Sequence, residues 1–196
     1  MANTTQKVTA ALAVSATLLT ARAASATDIP VKATIVLHVD NFASLPSETL
    51  SQAEKAVTAI FADAGVILEW VDGRERTPRR DGQRHLQVLL LSREMGERKV
   101  AANRVGPTVL GQAARVPGRA YVFTHRVAEL AKWNDLDAAR LLAKVIAHEV
   151  GHLLLPANSH SAWGIMCEKL ELSGRVEPRF TKEQSTSLQE AVISAN

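Results

Sequence analysis

The chain has 196 residues, 46% hydrophobic and 22% charged, with ten glycines, seven prolines and a single cysteine. This composition excludes a disordered, fibrous or low-complexity chain and fits one ordinary globular domain. Lys and Arg exceed Asp and Glu by 23 to 20, a formal charge of +3, but where those charges fall decides what they mean.

The first 26 residues have the pattern of an export signal. Lys7 lies in a short polar start, the run 8–20 is apolar or small, and Ala24-Ser25-Ala26 offers the small residues that signal peptidase requires. The run is shorter than the ~20 residues needed to span a bilayer, so removal rather than anchoring is expected, leaving 27–196 as the mature domain. Loss of Lys7 and Arg22 leaves 21 basic against 20 acidic residues, and the apparent basicity almost vanishes. The remaining basic cluster, Arg74, Arg76, Arg79, Arg80 and Arg84, has no interleaved aromatics for base stacking and reads as a solvated connection. With Cys167 as the sole cysteine, neither an intramolecular disulfide nor a lipid anchor at the cleavage site is possible. A secreted or periplasmic monomer follows, with no nucleic-acid partner and no stable membrane insertion.

In chain order, 33–39 reads as a strand of β-branched and apolar residues, ended by the turn signal Asp40-Asn41. From Ser47 the period changes: Leu50, Ala53, Val57, Ile60 and Phe61 recur every three or four residues, and Gly65 closes the helix. A second strand is expected over 66–71. A third over 85–91 carries Val88-Leu89-Leu90-Leu91, a run suited to burial on both faces. The stretch 92–106 is polar and without pattern. A less hydrophobic strand over 108–114 suits a sheet edge, and a fifth strand covers 120–124. Asn134 or Asp135 then caps a helix over 136–154, which Pro156 stops. Thr181 with Gln184 forms a capping-box pattern that opens a terminal helix to 193. The whole is an α+β domain in the order β-α-β-β-β-β-α-α: about five strands, a packing helix, a site-bearing helix and a C-terminal helix.

The chemistry lies in His148-Glu149-Val150-Gly151-His152, inside the helix expected over 136–154. Residues four apart share a helix face, so both imidazoles can ligate one ion, and Glu149, about 100° further round, can reach a water beside it. This is the H-E-x-x-H zinc motif. The helix is otherwise apolar at Leu141, Leu142, Val145, Ile146 and Leu153, so its polar residues need partners. Half of the six histidines fall between 148 and 160.

Downstream, His160, Gly164 and Met166 complete a pattern that resembles the metzincins, zinc peptidases in which the motif helix is followed by a turn, a third histidine and a methionine-containing turn. The strand and helix order also resembles their N-terminal subdomain, with its mixed, twisted sheet. The resemblance implies a Zn2+ held by His148, His152 and His160, Glu149 as general base, Met166 in the methionine turn, and a peptide or protein substrate pairing with the fourth strand. The family pattern places glycine three residues and histidine six residues after the second ligand, whereas Leu155 and Asn158 stand here and His160 lies eight after His152. A turn longer by two residues, built from Pro156, Ala157, Asn158 and Ser159, returns His160 to the metal.

Two other readings stand beside this one. Thermolysin-like gluzincins take a glutamate from a later helix, and Glu171 lies nineteen residues after His152, though in turn-like surroundings. A non-catalytic zinc module is the other; structural sites generally use four protein ligands, with no free carboxylate such as Glu149 at hand. Cys167 is expected to be a buried inert thiol, and Tyr121, chemically able to stabilise an oxyanion, is expected from its place in a strand to be a packing residue.

Overall fold

The computed structural model describes residues 33–75, 78, 80, 83–169 and 178–194. The expected export signal, parts of the arginine-rich connection and Glu171 lie outside them. Ten elements follow in order: β1 (Thr34–Asn41), α1 (Ser47–Asp63), β2 (Ile67–Asp72), β3 (Gln83–Leu91), α2 (Arg93–Asn103), β4 (Gly111–Ala114), β5 (Arg119–Phe123), α3 (Thr124–Trp133), α4 (Ala138–Leu154) and α5 (Lys182–Ile193).

The strands form one mixed sheet in the order β2-β1-β3-β5-β4. All neighbouring pairs are parallel except β4 and β5, which run antiparallel with Gly111 opposite Val122 and Ala114 opposite Arg119. Strand alternation sends Ile35 and Leu37 of β1, Leu86, Val88 and Leu90 of β3, and Ala120 and Val122 of β5 into one core. Val57 and Phe61 of α1 and Leu142, Val145 and Ile146 of α4 meet them there, and α1 and α4 pack on each other. The opposite face of β5 carries Tyr121, whose ring lies 3.6 Å beneath Lys99 Nζ of α2. Tyr121 is therefore a packing residue. Among the described residues no helix is long and apolar enough to cross a membrane.

Five strands and the packing, site-bearing and C-terminal helices stand where the sequence suggests, but two further helices have no counterpart in its pattern. The stretch that reads as patternless contains α2, capped by Ser92, whose hydroxyl accepts from the Met95 N–H. Its only buried residue is Gly96, so it has no apolar stripe to betray it; pairs such as Arg93–Glu97 and Arg98–Glu94 line its exposed side. The chain also turns from β5 straight into α3. Asn134 and Asp135 consequently lie at the end of α3, and α4 is capped instead by Asp137, whose carboxylate accepts from the Arg140 N–H at 2.8 Å. β4 is shorter than expected, beginning at Gly111. The terminal helix has its full capping box, Thr181 and Gln184 bonded reciprocally.

Candidate metal centre

α4 is buried along most of its length, and His148, Glu149 and His152 emerge where it passes β4. The chain then leaves the helix at Leu155, takes a left-handed backbone at Asn158 (φ 60°) and brings His160 back. The Nε2 atoms of His148 and His152 are 3.0 Å apart, as are those of His152 and His160. Each of the three residues offers one ligand atom, and these atoms all lie within 4.8 Å of one another. Metal–nitrogen bonds of 2.0–2.1 Å at tetrahedral angles would place such atoms roughly 3.3 Å apart, so the donor set fits a metal ion. The longer turn thus does bring His160 to the other two.

The surroundings favour the ligating form of the two imidazoles on α4. His148 Nδ1 donates to the Ile165 carbonyl at 2.8 Å, which leaves the Nε2 lone pair facing the other two rings. Burial lowers the pKa of His148. His152 is pushed down to about 4, chiefly by burial and then by the charges of His148, His160 and Arg115. Both are neutral near pH 7, the state that binds metal.

Met166 is fully buried on the inner side of α4 at Gly151. It packs so closely on α4 that a Cβ at position 151 would stand 2.5 Å from its sulfur and 3.2 Å from Phe180 Cε1. Gly151, one position before the second ligand, is therefore a contact requirement rather than a flexible link. Gly111 has the same role at the cleft wall, where a Cβ would come within 2.6 Å of Glu149 Cγ and 2.8 Å of its Oε1.

Glu149 is 7% exposed. Burial pushes its carboxyl up to about 8 from an ordinary 4.5. In the metal-free protein the folded chain then keeps a proton that the unfolded chain releases, so stability falls as pH rises from about 4.5 and levels off above about 8. The depressed histidines act in the opposite sense at lower pH, but equally in wild type and in a variant at 149. Glu149→Gln should therefore gain on wild type between pH 5 and 8, by an amount on the order of 4 kcal/mol. Denaturant midpoints measured at both pH values in chelator test this, and equal slopes for the two proteins would refute it.

These side chains face a cleft of about 840 Å³ between β4 and α4. Thr108, Val109, Leu110 and Gly111 line one wall, and the three histidines with Glu149 the other. Arg115, in the turn after β4, reaches over to donate to the Leu155 carbonyl. Cys167 lines the same cleft and is half-buried, its thiol 3.6 Å from the Ala162 carbonyl oxygen; it is not the fully buried thiol expected. Sequence reasoning missed Gly111, Ile165 and Arg115 because their roles depend on contacts between distant parts of the chain.

The remaining histidines lie elsewhere. His38 Nε2 and His85 Nδ1 are 3.0 Å apart on β1 and β3, and His125 sits at the start of α3 against Gly96.

No protein-family model matches the chain, and no curated protein matches its sequence. A solution structure of TM1509 from Thermotoga maritima, labelled VT1, aligns with a TM-score of 0.34 at 15% identity, over 83% of this chain and 90% of that one. That likeness is too distant to relate the two proteins.

Proposed function

We propose that the chain is an exported zinc-dependent metallopeptidase of metzincin type, with His148, His152 and His160 as ligands and Glu149 as general base. The observation that carries this reading is the convergence of three imidazole Nε2 atoms beside a buried carboxylate, all facing one open cleft. Zinc held there would supply Lewis acidity, making water more acidic and a carbonyl more electrophilic.

Glu149 supplies the proton transfers. It takes a proton from the attacking water and returns it to the departing amine, so that an amine rather than an amide anion leaves. Its raised pKa in the metal-free protein reports burial; a cation beside it favours the carboxylate form that a base needs. Among the described residues β4 pairs with β5 on one side only, so an extended peptide can add to its other edge with the scissile carbonyl turned to the histidines. A structural zinc site is less well supported. Among the described residues no fourth cysteine, histidine or carboxylate joins the three histidines as a ligand, and three ligands leave a position open.

The test is zinc stoichiometry together with cleavage of unfolded casein, for wild type and Glu149→Gln. Both should bind one zinc, and the variant should cleave at least about 100-fold more slowly. The reading is overturned if neither protein cleaves casein or a mixed peptide library while both hold zinc, or if the variant cleaves as fast as wild type.

A further inference from the structure

His148 is held by burial and by the Ile165 carbonyl, and His152 by the helix, but His160 is exposed and stands on a loop. Its Nε2 is nevertheless 3.0 Å from that of His152, so something must hold the loop. The residues on either side of it converge on one side chain from the C-terminal helix. Gln184 Nε2 donates to the Ser159 carbonyl at 2.9 Å and to Ser161 Oγ at 3.2 Å. Ser161 Oγ in turn donates to the Trp163 carbonyl at 2.8 Å, and the Ser161 N–H donates to the Met166 carbonyl at 2.9 Å. Gln184 is itself only 8% exposed. Its Oε1 accepts from the Thr181 N–H at 2.9 Å, and its own N–H donates to Thr181 Oγ1 at 3.3 Å.

We infer that Gln184 is the positioning residue of the third metal ligand: its amide oxygen caps α5 while its amide nitrogen clamps both neighbours of His160. This rests on the three-histidine reading above. The division of labour within one amide is what makes the idea testable. A glutamate keeps the acceptor that a capping box requires but has no N–H2 to give to Ser159 and Ser161. A Thr181→Ala change does the reverse, weakening the cap and leaving the clamp.

The experiment is titration of the full chain with Co2+ alone, read by its visible absorption, followed by zinc competition for affinity. Wild type should show the intense bands of low-coordinate cobalt. Gln184→Glu should fold with the same far-ultraviolet dichroism, lose or shift those bands, and bind zinc about 10- to 100-fold more weakly, the range found when an outer partner of a metal ligand is lost. Gln184→Met, which removes every bond of the side chain without adding charge, should change the spectrum in the same way. Thr181→Ala should lower the thermal midpoint and keep the wild-type spectrum. Unchanged spectrum and affinity in both Gln184 variants would overturn the inference, as would a Thr181→Ala spectrum altered as much as theirs. Failure of wild type itself to bind cobalt would instead overturn the three-histidine reading.

Discussion

His160→Ala is expected to lose the metal, and Glu171→Ala to keep it. The first change removes one of three nitrogens that meet around a single point, leaving two ligands four residues apart on one helix, a set that many surface helices share by chance. Loss of a ligand should weaken zinc binding by more than the ~10–100-fold that loss of an outer partner produces, and hydrolysis should fall with it. Because the ligand set, not the fold, is changed, the metal-free His160→Ala protein should unfold at nearly the wild-type midpoint: His160 is exposed and supports no core. Isothermal titration with zinc, run in parallel on the two variants, separates the alternatives. A His160→Ala protein that still holds zinc, alongside a Glu171→Ala protein that does not, would move the site to the gluzincin arrangement and remove the basis for the cleft assignment.

The two ligands of α4 are legible from the sequence because a spacing of four fixes their common face before anything else folds. The strands over 33–39 and 85–91 are legible for a similar reason: both segments are dense in β-branched and apolar residues, and turns bracket them. α2 is not, since Arg93–Asn103 offers only Gly96 to the interior, and its helical nature is carried by i,i+4 charge pairs and the Ser92 cap. α3 is hidden because Thr124 continues the strand pattern of β5; Val127 and Ala131, both buried and four apart, are the available clue. Gln184 is the instructive case. Its capping role follows from Thr181 three residues earlier, but its hold on the His160 loop joins residues 23 and 25 positions apart, and no local pattern encodes that.

Met166→Ala should be the most destabilising single change near the site. Met166 is fully buried and fills the space under α4 at Gly151, and truncating a buried methionine costs about 2–5 kcal/mol. Gly151→Ala acts on the same contact from the other side. A new methyl 2.5 Å from the Met166 sulfur forces the sulfur or the helix to move, at about 1–3 kcal/mol, against a gain of up to ~1 kcal/mol from replacing glycine within a helix. The two changes should not add: with the methionine side chain gone, the alanine methyl occupies part of the cavity and keeps its helix preference. The double variant is therefore expected to be more stable than the sum of the single losses predicts, by a coupling of about 0.5–3 kcal/mol. Denaturant unfolding of the four proteins in chelator measures it, and strict additivity would mean that Gly151 and Met166 do not share the contact. The same cycle read by zinc affinity bears on the site, because the Ile165 carbonyl that orients His148 immediately precedes Met166. If the sulfur under the helix holds that carbonyl in place, Met166→Ala should weaken zinc binding as well as the fold.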